Sequence, residues 1–329
     1  MKKIGVNGFG RIGRYFTRMS LEDVNVDVAV VNDLADINTL AHLFKYDSVH
    51  RKLKHEFVIE GNKLVFENGK EIVFVSERNP ENIKWSDYGV EIVLESTGIF
   101  RTSELAAKHF VGGAKKVILS APAIDSTTRT VVLGVNDDKL ENSDLIVSNA
   151  SCTTNSAAPI VKIMKELCDV ENIYISTIHS YTSDQRLHDA PHTDLRRARA
   201  AAESIVPTTT GAAKALSKIF PELDGNIGGC GIRVPVPDGS MTDLTFVVKT
   251  PPSVQQINEA MRSASKGSMK GILAYTEDPI VSSDVIGEPF SCVFDSRLTS
   301  VIGKMVKVVA WYDNEAGYSN RLIDLVKRM

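Results

Sequence analysis

The stretch KKIGVNGFGRIGRYFTRMS, residues 2–20, decides the fold. A short apolar run leads into glycines spaced as G-x-G-x-x-G, Gly8, Gly10 and Gly13, and an amphipathic pattern then predicts a helix that begins near Arg11. The next apolar run, VDVAVVND, ends on Asp33 about 20 residues further along the chain. This order of strand, turn, helix, strand and acid is typical of a dinucleotide-binding βαβ unit. The alternative is a glycine turn that serves packing alone, with Asp33 a solvated strand end.

Each glycine meets a physical requirement of such a unit. Gly8 permits the tight turn, Gly10 lets the backbone approach a pyrophosphate, and Gly13 lets helix and strand pack closely. The amides at the helix N-terminus then face the phosphates. Asp33 can accept hydrogen bonds from both adenosine ribose hydroxyls and would repel a 2′-phosphate, so the pattern favours NAD over NADP as the cofactor.

The pattern of elements predicts two domains in the 329 residues. Buried-type strands that alternate with helices up to about residue 150 predict an α/β, doubly wound parallel sheet. Residues 55–76 alternate instead and carry two hairpin turns, Gly61-Asn62 and Asn68-Gly69, which predicts a β-meander. After Pro159 a helix leads to fewer and longer strands, which predict a mixed or mostly antiparallel sheet in a separate α+β domain.

Composition narrows the classes of function. Hydrophobic residues make up 43% of the chain and charged residues 24%, as in ordinary globular proteins, and the net charge of −3 gives no sign of nucleic-acid binding. We see neither a signal peptide nor an apolar run of membrane-spanning length, so we expect a cytoplasmic protein. The four cysteines show no C-x-x-C spacing and no Cys/His cluster, so we expect neither disulfides nor a metal site.

One cysteine, Cys152, lies among small polar residues in SNASCTTNSAAP, residues 148–159. A structural thiol prefers apolar neighbours, so this one is predicted to be presented for chemistry. A helix N-terminus at Cys152 would lower the pKa of the thiol. His179, at the end of the strand NIYISTIHS, is the best-placed partner for a thiolate–imidazolium pair and for acid–base chemistry. The alternative is a cysteine beside a helix cap and a hydrogen-bonded core histidine.

Groups suited to an anionic substrate follow in the sequence. The segment from His179 to Gly211 is dense in arginines and threonines, and Arg233 lies in the later strand GIRVPVP. Hydroxyls, backbone amides and guanidinium groups are the donors that phosphate oxygens need. The alternative for the arginine cluster is a solvated basic run.

The motifs together resemble the phosphorylating glyceraldehyde-3-phosphate dehydrogenase family. The glycine fingerprint, SNASCTTN, HSYT, RRARAAA, PTTTGAAKA and WYDNEAGYSNR carry the resemblance, which covers essentially the whole chain. It implies NAD-dependent oxidation of glyceraldehyde 3-phosphate. The aldehyde adds to a cysteine thiolate, hydride passes to NAD, and inorganic phosphate attacks the resulting thioester to give 1,3-bisphosphoglycerate.

The resemblance also implies residue roles. Cys152 is the nucleophile, and His179 is its activator and the base for hydride transfer; the backbone of Cys152 and the His179 ring stabilise the hemithioacetal oxygen. The attacking phosphate is bound by Ser151, Thr153, Thr210 and Gly211. The substrate's own phosphate is surrounded by Thr182, Asp184, Arg197 and Arg233. Contacts to NAD are expected from Gly8, Gly10, Arg11, Ile12, Gly13, Asp33, Arg78, Ser120 and Asn314, the last at the nicotinamide amide.

The implied organisation is an NAD domain made of residues 1–150 plus 315–329 and a catalytic domain of residues 151–314. The family resemblance further implies a homotetramer whose interface loop runs from Ser180 to about Ile205. The expected partners are therefore the substrate, inorganic phosphate and further copies of the chain, with neither a membrane nor a nucleic acid.

Three departures from the family's usual pattern are visible. Ser156 stands where many members carry a second cysteine, so a disulfide within the motif is impossible. The segment PVPDGSMTDL, with Asp238 and Gly239, replaces the more usual PTPNVSVVDL. Ala190-Pro191 combines the Leu-Pro of strictly NAD-specific members with the Ala-Ser of dual-specific ones, which predicts NAD preference with loosened discrimination.

Two other catalytic functions compete with this interpretation, and a non-catalytic binding role is a third alternative. An erythrose-4-phosphate dehydrogenase would share the fold, cysteine and cofactor, but water would attack its thioester. A cysteine-dependent hydrolase or acyltransferase would carry out no redox chemistry. The glycine fingerprint argues against this second alternative, because such an enzyme needs no dinucleotide.

Overall fold

The computed structural model describes all 329 residues, which form two compact units. The first consists of residues 1–131, 139–150 and 319–329, and the second of residues 132–138 and 151–318. This division differs from the predicted one in two places. Residues 132–138 group with the second unit, and the return of the chain to the first unit begins at Ser319 instead of residue 315.

The first unit carries eleven strands and three α-helices within residues 1–150. The strands are β1 (Lys2–Asn7), β2 (Val26–Asn32), β3 (Tyr46–Asp47), β4 (Arg51–Lys52), β5 (Phe57–Glu60), β6 (Lys63–Phe66), β7 (Glu71–Val75), β8 (Ile92–Glu95), β9 (Lys116–Leu119), β10 (Arg129–Thr130) and β11 (Ile146–Ser148). The helices are α1 (Arg11–Ser20), α2 (Ile37–Lys45) and α3 (Ser103–Ala106). The stretch SELAAKHFV, predicted as one helix, is α3 followed by a 3-10 helix over Ala107–Gly112.

Nine of these strands form one sheet in the order β10-β11-β9-β8-β1-β2-β7-β6-β5. All neighbours from β10 to β7 run parallel, whereas β5 and β6 add an antiparallel hairpin beside β7. The central order β7-β2-β1-β8-β9-β11 is that of a doubly wound dinucleotide-binding sheet, which binds its ligand outside the carboxyl ends of the strands. The predicted fold class and the predicted meander are confirmed.

Buried apolar strands explain why this sheet is covered on both faces. All four residues of β8 are buried, as are the last four residues of β1. Trp85, in a 3-10 helix over Trp85–Tyr88, packs with Val30, Val93 and Val117 in one cluster. Near-continuous apolar runs of this kind suit parallel strands, because helices lie on either side of them.

The second unit holds the remaining strands and most of the remaining helices. The strands are β12 (Val170–Ser180), β13 (Val206–Thr208), β14 (Ile227–Val234), β15 (Ser240–Val248), β16 (Leu273–Thr276), β17 (Cys292–Asp295), β18 (Ser300–Ile302) and β19 (Met305–Tyr312). The helices are α4 (Cys152–Leu167), α5 (Ala212–Ile219), α6 (Val254–Lys266) and α7 (Ala316–Arg328), the last continuing into the first unit. The eight strands form one mixed sheet in which antiparallel neighbours predominate, as predicted.

Helix α4 positions the predicted nucleophile. It begins at Cys152, as the sequence predicts, and continues through Pro159 to Leu167. A proline inside a helix removes one hydrogen bond and costs about 3 kcal/mol. Burial offsets that cost here, because residues 153–161 are buried without interruption. No helix of the chain has both the length and the apolar character needed to cross a membrane.

Candidate active site

The glycine turn of the first unit leaves a cradle above the start of α1. Gly8 has a φ of 95°, and a Cβ on Gly13 would lie 2.2 Å from the carbonyl oxygen of Gly8, so both positions require glycine. A Cβ on Gly10, by contrast, would meet nothing within 4 Å. Gly10 caps α1 without a side-chain hydrogen bond, so no capping side chain covers the N-terminus of the helix. This arrangement fits a pyrophosphate.

Asp33 is joined to the same turn. Its Oδ2 accepts a hydrogen bond from the amide of Phe9 at 2.7 Å, and its Oδ1 accepts one from the amide of Ala35 at 3.0 Å. The carboxylate is therefore held beside the turn, where its remaining lone pairs can accept ribose hydroxyls.

The other predicted NAD contacts of this unit lie around the carboxyl edge of the sheet. Arg11 is paired with Asp47 at 2.7 Å, and Ile12 is half-buried in the first turn of α1. Arg78 is exposed after β7, and Ser120 follows β9. Asp33 is thus hydrogen-bonded directly to the glycine turn, whereas the side chain of Arg11 is paired with Asp47.

In the second unit, Cys152 is the first residue of α4 and faces His179. Its Sγ lies 3.4 Å from Nε2 of His179, the penultimate residue of β12. Ser151 caps the helix, since its Oγ accepts a hydrogen bond from the amide of Thr154 at 3.1 Å. Ala150, immediately before the cap, has a φ of 56°, a conformation that L-residues other than glycine rarely adopt. The cysteine and histidine singled out in the sequence are therefore in contact.

The pKa values of this pair differ from the expectation. Burial raises the pKa of the Cys152 thiol, and the charge of Arg233 and hydrogen bonds from Thr153 oppose that effect without cancelling it. Burial, and then the charge of Arg233, lowers the pKa of His179 to about 3. Burial thus favours the neutral form of both side chains and opposes the effect of the helix N-terminus, and the thiolate–imidazolium pair stays a prediction.

Arg233 also determines which nitrogen of His179 carries the proton. Its Nη1 lies 2.6 Å from Nδ1 of His179 and 3.0 Å from the carbonyl oxygen of Ser180. A guanidinium can only donate, so Nδ1 is the acceptor and the neutral ring is protonated on Nε2, which faces the sulfur. The same Nδ1 lies 2.8 Å from the Ser180 carbonyl, so an alternative partner is already in place.

Tyr312 is a site residue that the sequence analysis missed. Its hydroxyl lies 3.0 Å from Oγ1 of Thr153 and 2.9 Å from Oγ1 of Thr177, and its ring packs edge-on against His179. Burial raises the pKa of Tyr312, so the hydroxyl stays protonated. Thr153 was predicted to bind phosphate, but its hydroxyl is buried against this tyrosine. The position of Tyr312 at the end of a strand, just before the motif DNEAGYSNR, is the sequence feature that could have indicated a role in the site.

The remaining predicted phosphate ligands lie in two places within the second unit. Arg197 is paired with Asp184 and donates from Nε to Oγ1 of Thr208 at 3.0 Å, whereas Thr208 was not among the predicted ligands. The amide of Thr182 donates to Oε1 of Gln185 at 3.4 Å. The second place is the start of α5, described next.

Helix α5 begins at a site open to an anion. Gly211 caps it without a side-chain hydrogen bond, and a Cβ on Gly211 would meet nothing within 4 Å. The hydroxyl of Thr210 accepts a hydrogen bond from the amide of Ala212 at 3.2 Å. A helix N-terminus with a threonine hydroxyl beside it and open space above it suits a phosphate.

Known proteins share both halves of this arrangement. The family model described as glyceraldehyde 3-phosphate dehydrogenase, NAD binding domain, matches residues 2–103, and the C-terminal domain model of the same family matches residues 151–314. The chain belongs to the glyceraldehyde-3-phosphate dehydrogenase family. Glyceraldehyde-3-phosphate dehydrogenase of Geobacillus stearothermophilus is 54% identical over 98% of this chain and 96% of its own length. The family resemblance and NAD as cofactor, both predicted from the sequence, are confirmed.

Further relatives agree. Glyceraldehyde-3-phosphate dehydrogenase 1 of Bacillus subtilis (strain 168) is 51% identical, with 98% of this chain and 96% of the relative covered. Glyceraldehyde-3-phosphate dehydrogenase of Streptomyces coelicolor is 52% identical, with 98% and 97% covered. Matches of this length leave no large part of either unit outside the family.

Two departures from the usual pattern of glyceraldehyde-3-phosphate dehydrogenases meet in the structure. Ser156, which replaces the second cysteine, is fully buried in α4. Thr242, which stands at a usual valine position in β15, is also fully buried and donates its hydroxyl proton to Oγ of Ser156 at 2.9 Å. Each hydroxyl therefore satisfies the other, and the two departures form one pair.

Asp238, another departure, replaces an asparagine close to the predicted nicotinamide contact. Oδ1 of Asn314 accepts hydroxyl protons from Ser180 at 2.9 Å and Ser240 at 2.7 Å, which fixes the orientation of its amide. Burial, then the nearby carboxylates of Asp313 and Glu315, raises the pKa of Asp238 to about 9. The acid is therefore neutral at pH 7, and in charge it resembles the amide that it replaces.

Proposed function

We propose that this chain catalyses the NAD-dependent oxidation of glyceraldehyde 3-phosphate with inorganic phosphate to 1,3-bisphosphoglycerate. The observation that carries the proposal is the contact of Cys152 Sγ with His179 Nε2 at 3.4 Å, with Arg233 at Nδ1, the other nitrogen of the imidazole. A nucleophile, a base and a cation for an anionic substrate meet there, which is the set of groups that aldehyde oxidation through a thioester needs. The relatives support the same activity.

The first step is addition of the thiol to the aldehyde. The sulfur forms a bond to the carbonyl carbon, the thiol proton goes to Nε2 of His179, and Nε2 passes that proton on to the carbonyl oxygen, which becomes the hemithioacetal hydroxyl. Nε2 can take this proton only when the ring proton is on Nδ1. Binding of the substrate's phosphate to Arg233 draws the guanidinium from Nδ1. After exchange of the ring proton with solvent, Nδ1 then donates to the Ser180 carbonyl, 2.8 Å away.

The next step removes a hydride from the hemithioacetal carbon and leaves a thioester on Cys152. NAD, when bound, supplies the hydride acceptor. His179 takes the hydroxyl proton as the carbon–oxygen double bond re-forms, which is a general-base role. An oxygen of inorganic phosphate then attacks the thioester carbon, the carbon–sulfur bond breaks, and the sulfur leaves with the electron pair. The backbone amide of Cys152 supports the oxyanion formed at each stage.

The phosphate-binding residues divide into two groups in this proposal. The substrate's phosphate is held by Thr182, Asp184, Arg197 and Arg233, where Asp184 acts by orienting Arg197, with which it is paired. Of the four residues predicted for the attacking phosphate, Ser151, Thr210 and Gly211 hold it directly. Open space above Gly211 supports this second assignment. Because the Thr153 hydroxyl faces Tyr312, we assign its contribution to orienting the tyrosine and the cysteine.

The residues that hold NAD follow from the shape of the first unit. The open space above Gly10 and the N-terminal amides of α1 fit the pyrophosphate, and the turn that positions them requires glycine at Gly8 and Gly13. Asp33 accepts the adenosine ribose hydroxyls. The further assigned contacts are Arg11, Ile12, Arg78, Ser120 and, in the second unit, Asn314.

We also propose a cytoplasmic homotetramer whose interface includes the loop of residues 180–205. Leu187 and Leu195 support the proposal, since their exposed fractions are 73% and 81%. Exposed leucines of this kind mark contact surfaces when they cluster on one loop. Light scattering of the purified protein would give four times the chain mass, and a monomer would contradict the tetramer. Cell fractionation would test the location, and recovery with the membranes would contradict a cytoplasmic protein.

Steady-state assays test the activity. With glyceraldehyde 3-phosphate and NAD, formation of NADH requires inorganic phosphate, and Cys152→Ser abolishes it while NAD still binds. Activity of Cys152→Ser would show that the nucleophile is misassigned. A rate independent of phosphate, with erythrose 4-phosphate the better substrate, would favour the rival dehydrogenase, and no absorbance change at the NADH band would favour a hydrolase or acyltransferase.

A further inference from the structure

A row of polar side chains crosses the parallel sheet of the first unit at the carboxyl ends of its strands. Asn7, Asn32 and Glu95 end β1, β2 and β8, and Asn7 is paired in register with each of the other two. The exposed fractions of all three are 4% or less. Asn32 also exchanges two hydrogen bonds with the backbone of Glu77, just after β7. These three side chains are joined by those of Thr97, His109 and Trp85. We call the six residues together the strand-end belt.

Glu95 is the acceptor at the centre of the belt. Its Oε2 accepts from Nδ2 of Asn7 at 2.6 Å and lies 3.0 Å from Nε2 of His109. Its Oε1 accepts from the amide of Thr97 at 2.8 Å and from the hydroxyl of the same residue. Four donors therefore converge on one buried carboxylate.

The partners at the two ends of the belt leave only one assignment of donors and acceptors. Trp85 Nε1 lies 3.2 Å from Nδ1 of His109 and can only donate, so the proton of the neutral His109 ring is on Nε2 and points at Glu95. Oδ1 of Asn7 accepts from Asn32, so Nδ2 of Asn7 must donate to Glu95. Every donor direction ends on Glu95, and an ionised carboxylate satisfies all of them.

The belt lies directly beneath the turn that binds NAD. The amide of Gly8 donates to the carbonyl of Asn32 at 2.8 Å, and a Cβ on Gly8 would lie 2.8 Å from the amide nitrogen of Thr97. Thr97, which Glu95 holds by two hydrogen bonds, therefore forms the wall against which the glycine turn rests. Asn32 immediately precedes Asp33, the ribose acceptor of the proposed site.

We propose that Glu95 is a positioning residue for NAD: its carboxylate, through Thr97 and Asn7, holds the glycine turn in the shape that accepts the pyrophosphate. Glu95 is not placed to touch the cofactor. The role of Glu95 differs from that of a core residue, because the belt connects the carboxyl ends of the neighbouring strands β7, β2, β1 and β8, where the ligand binds. No apolar contact of comparable volume could replace four converging donors without leaving them unsatisfied.

Glu95→Gln tests the proposal with almost no change in volume. The amide group of glutamine must face either the Thr97 pair of donors or the Asn7 and His109 donors, so one side of the belt opens. We expect the Kd for NAD, measured by calorimetry on the folded protein, to rise about tenfold, the effect of losing one charge-assisted hydrogen bond. KM for NAD rises in parallel, and kcat at saturating NAD stays within about twofold, since the catalytic unit is unchanged.

A second ligand locates the effect within NAD. ADP-ribose carries the pyrophosphate and lacks the nicotinamide, so Glu95→Gln weakens it by the same factor as NAD. Weakening of NAD with unchanged ADP-ribose would overturn the proposal, because the belt lies beneath the pyrophosphate turn.

Two matched variants separate positioning from general loosening. Glu91→Gln makes the same chemical change at an exposed carboxylate that pairs with Lys115, and it leaves the Kd for NAD unchanged. Val117→Ala removes buried volume from the core of the same unit and lowers Tm, with less than about a twofold change in Kd. If Val117→Ala raises the Kd as much as Glu95→Gln does, Glu95 is a stability residue and the proposal is wrong.

A milder variant covers the case in which Glu95→Gln does not fold. Thr97→Val removes the hydroxyl that donates to Glu95 and accepts from the amide of Ile99 at 3.1 Å, and it keeps the Thr97 amide, so the Kd for NAD and for ADP-ribose rises about threefold. An unchanged Kd for this variant would overturn the proposal by itself.

Discussion

Arg233 Nη1 lies 2.6 Å from Nδ1 of His179, and the two residues are register partners on the parallel strands β14 and β12. The charge of the guanidinium and the burial of the ring together explain why the pKa of His179 is lowered to about 3. The same contact places the ring proton on the nitrogen that faces Cys152. A residue proposed to bind the substrate's phosphate thus also sets the protonation of the proposed base.

Arg233→Gln is expected to raise the pKa of His179, because it removes a positive charge in contact with the ring. It also returns Nδ1 to the Ser180 carbonyl, so the neutral ring becomes protonated on Nδ1. Nitrogen chemical shifts of 15N-labelled histidine, followed against pH and assigned with His179→Asn, report both changes. Wild-type protein with sulfate added should shift in the same direction, and a variant whose His179 shifts match the wild type would disprove the coupling.

His179→Asn removes the proposed base while the thiol remains. We expect kcat for aldehyde oxidation to fall roughly 10²–10⁴-fold, the usual contribution of a general base. Alkylation of Cys152 by iodoacetamide at neutral pH should slow as well, since Nε2–H of the imidazole no longer stabilises the thiolate by donating a hydrogen bond to the sulfur. An alkylation rate equal to that of the wild type would show that His179 does not activate the thiol.

The cofactor preference is expected to depend on Asp33. Because the amides of Phe9 and Ala35 hold both carboxylate oxygens, the charge cannot swing away from a 2′-phosphate. Asp33→Ser should raise the ratio of kcat/KM for NADP to kcat/KM for NAD by at least about tenfold, as two like charges in contact cost more than 1 kcal/mol. The wild type should favour NAD despite Ala190-Pro191, and a wild-type ratio of one or more would contradict this assignment.

Much of the fold follows from local patterns, whereas the state of the catalytic pair does not. The glycine turn, the start of α1 at Arg11 and the helix at Cys152 are each specified by residues adjacent in the chain. The lowered pKa of His179 depends on burial and on Arg233, which is 54 residues away in the sequence. Such contacts are made by strand pairing and depth in the core, which no local pattern encodes.

The Ser156–Thr242 pair can be measured with a double-mutant cycle. Either Ser156→Ala or Thr242→Val leaves one buried hydroxyl without its partner, and each should lower the free energy of unfolding by about 1–3 kcal/mol. The double variant should lose clearly less than the sum of the two, since no hydroxyl is then left unsatisfied. Additive losses in chemical denaturation would show that the two hydroxyls do not interact in solution.

Asp238→Asn should stabilise the protein increasingly as pH rises. The pKa of Asp238 is raised to about 9, so between pH 4 and pH 9 the folded protein keeps a proton that the unfolded chain has released. Stability of the wild type therefore falls across that window by up to about 1.4 kcal/mol per pH unit, and asparagine has no proton to lose. The Tm of the variant minus that of the wild type, measured at pH 5, 7 and 9, should grow with pH. Asp224→Asn, which changes an exposed aspartate, provides the matched control and should show a constant difference. If the Tm difference for Asp238→Asn is also constant, Asp238 is ionised at neutral pH and does not resemble the usual asparagine in charge.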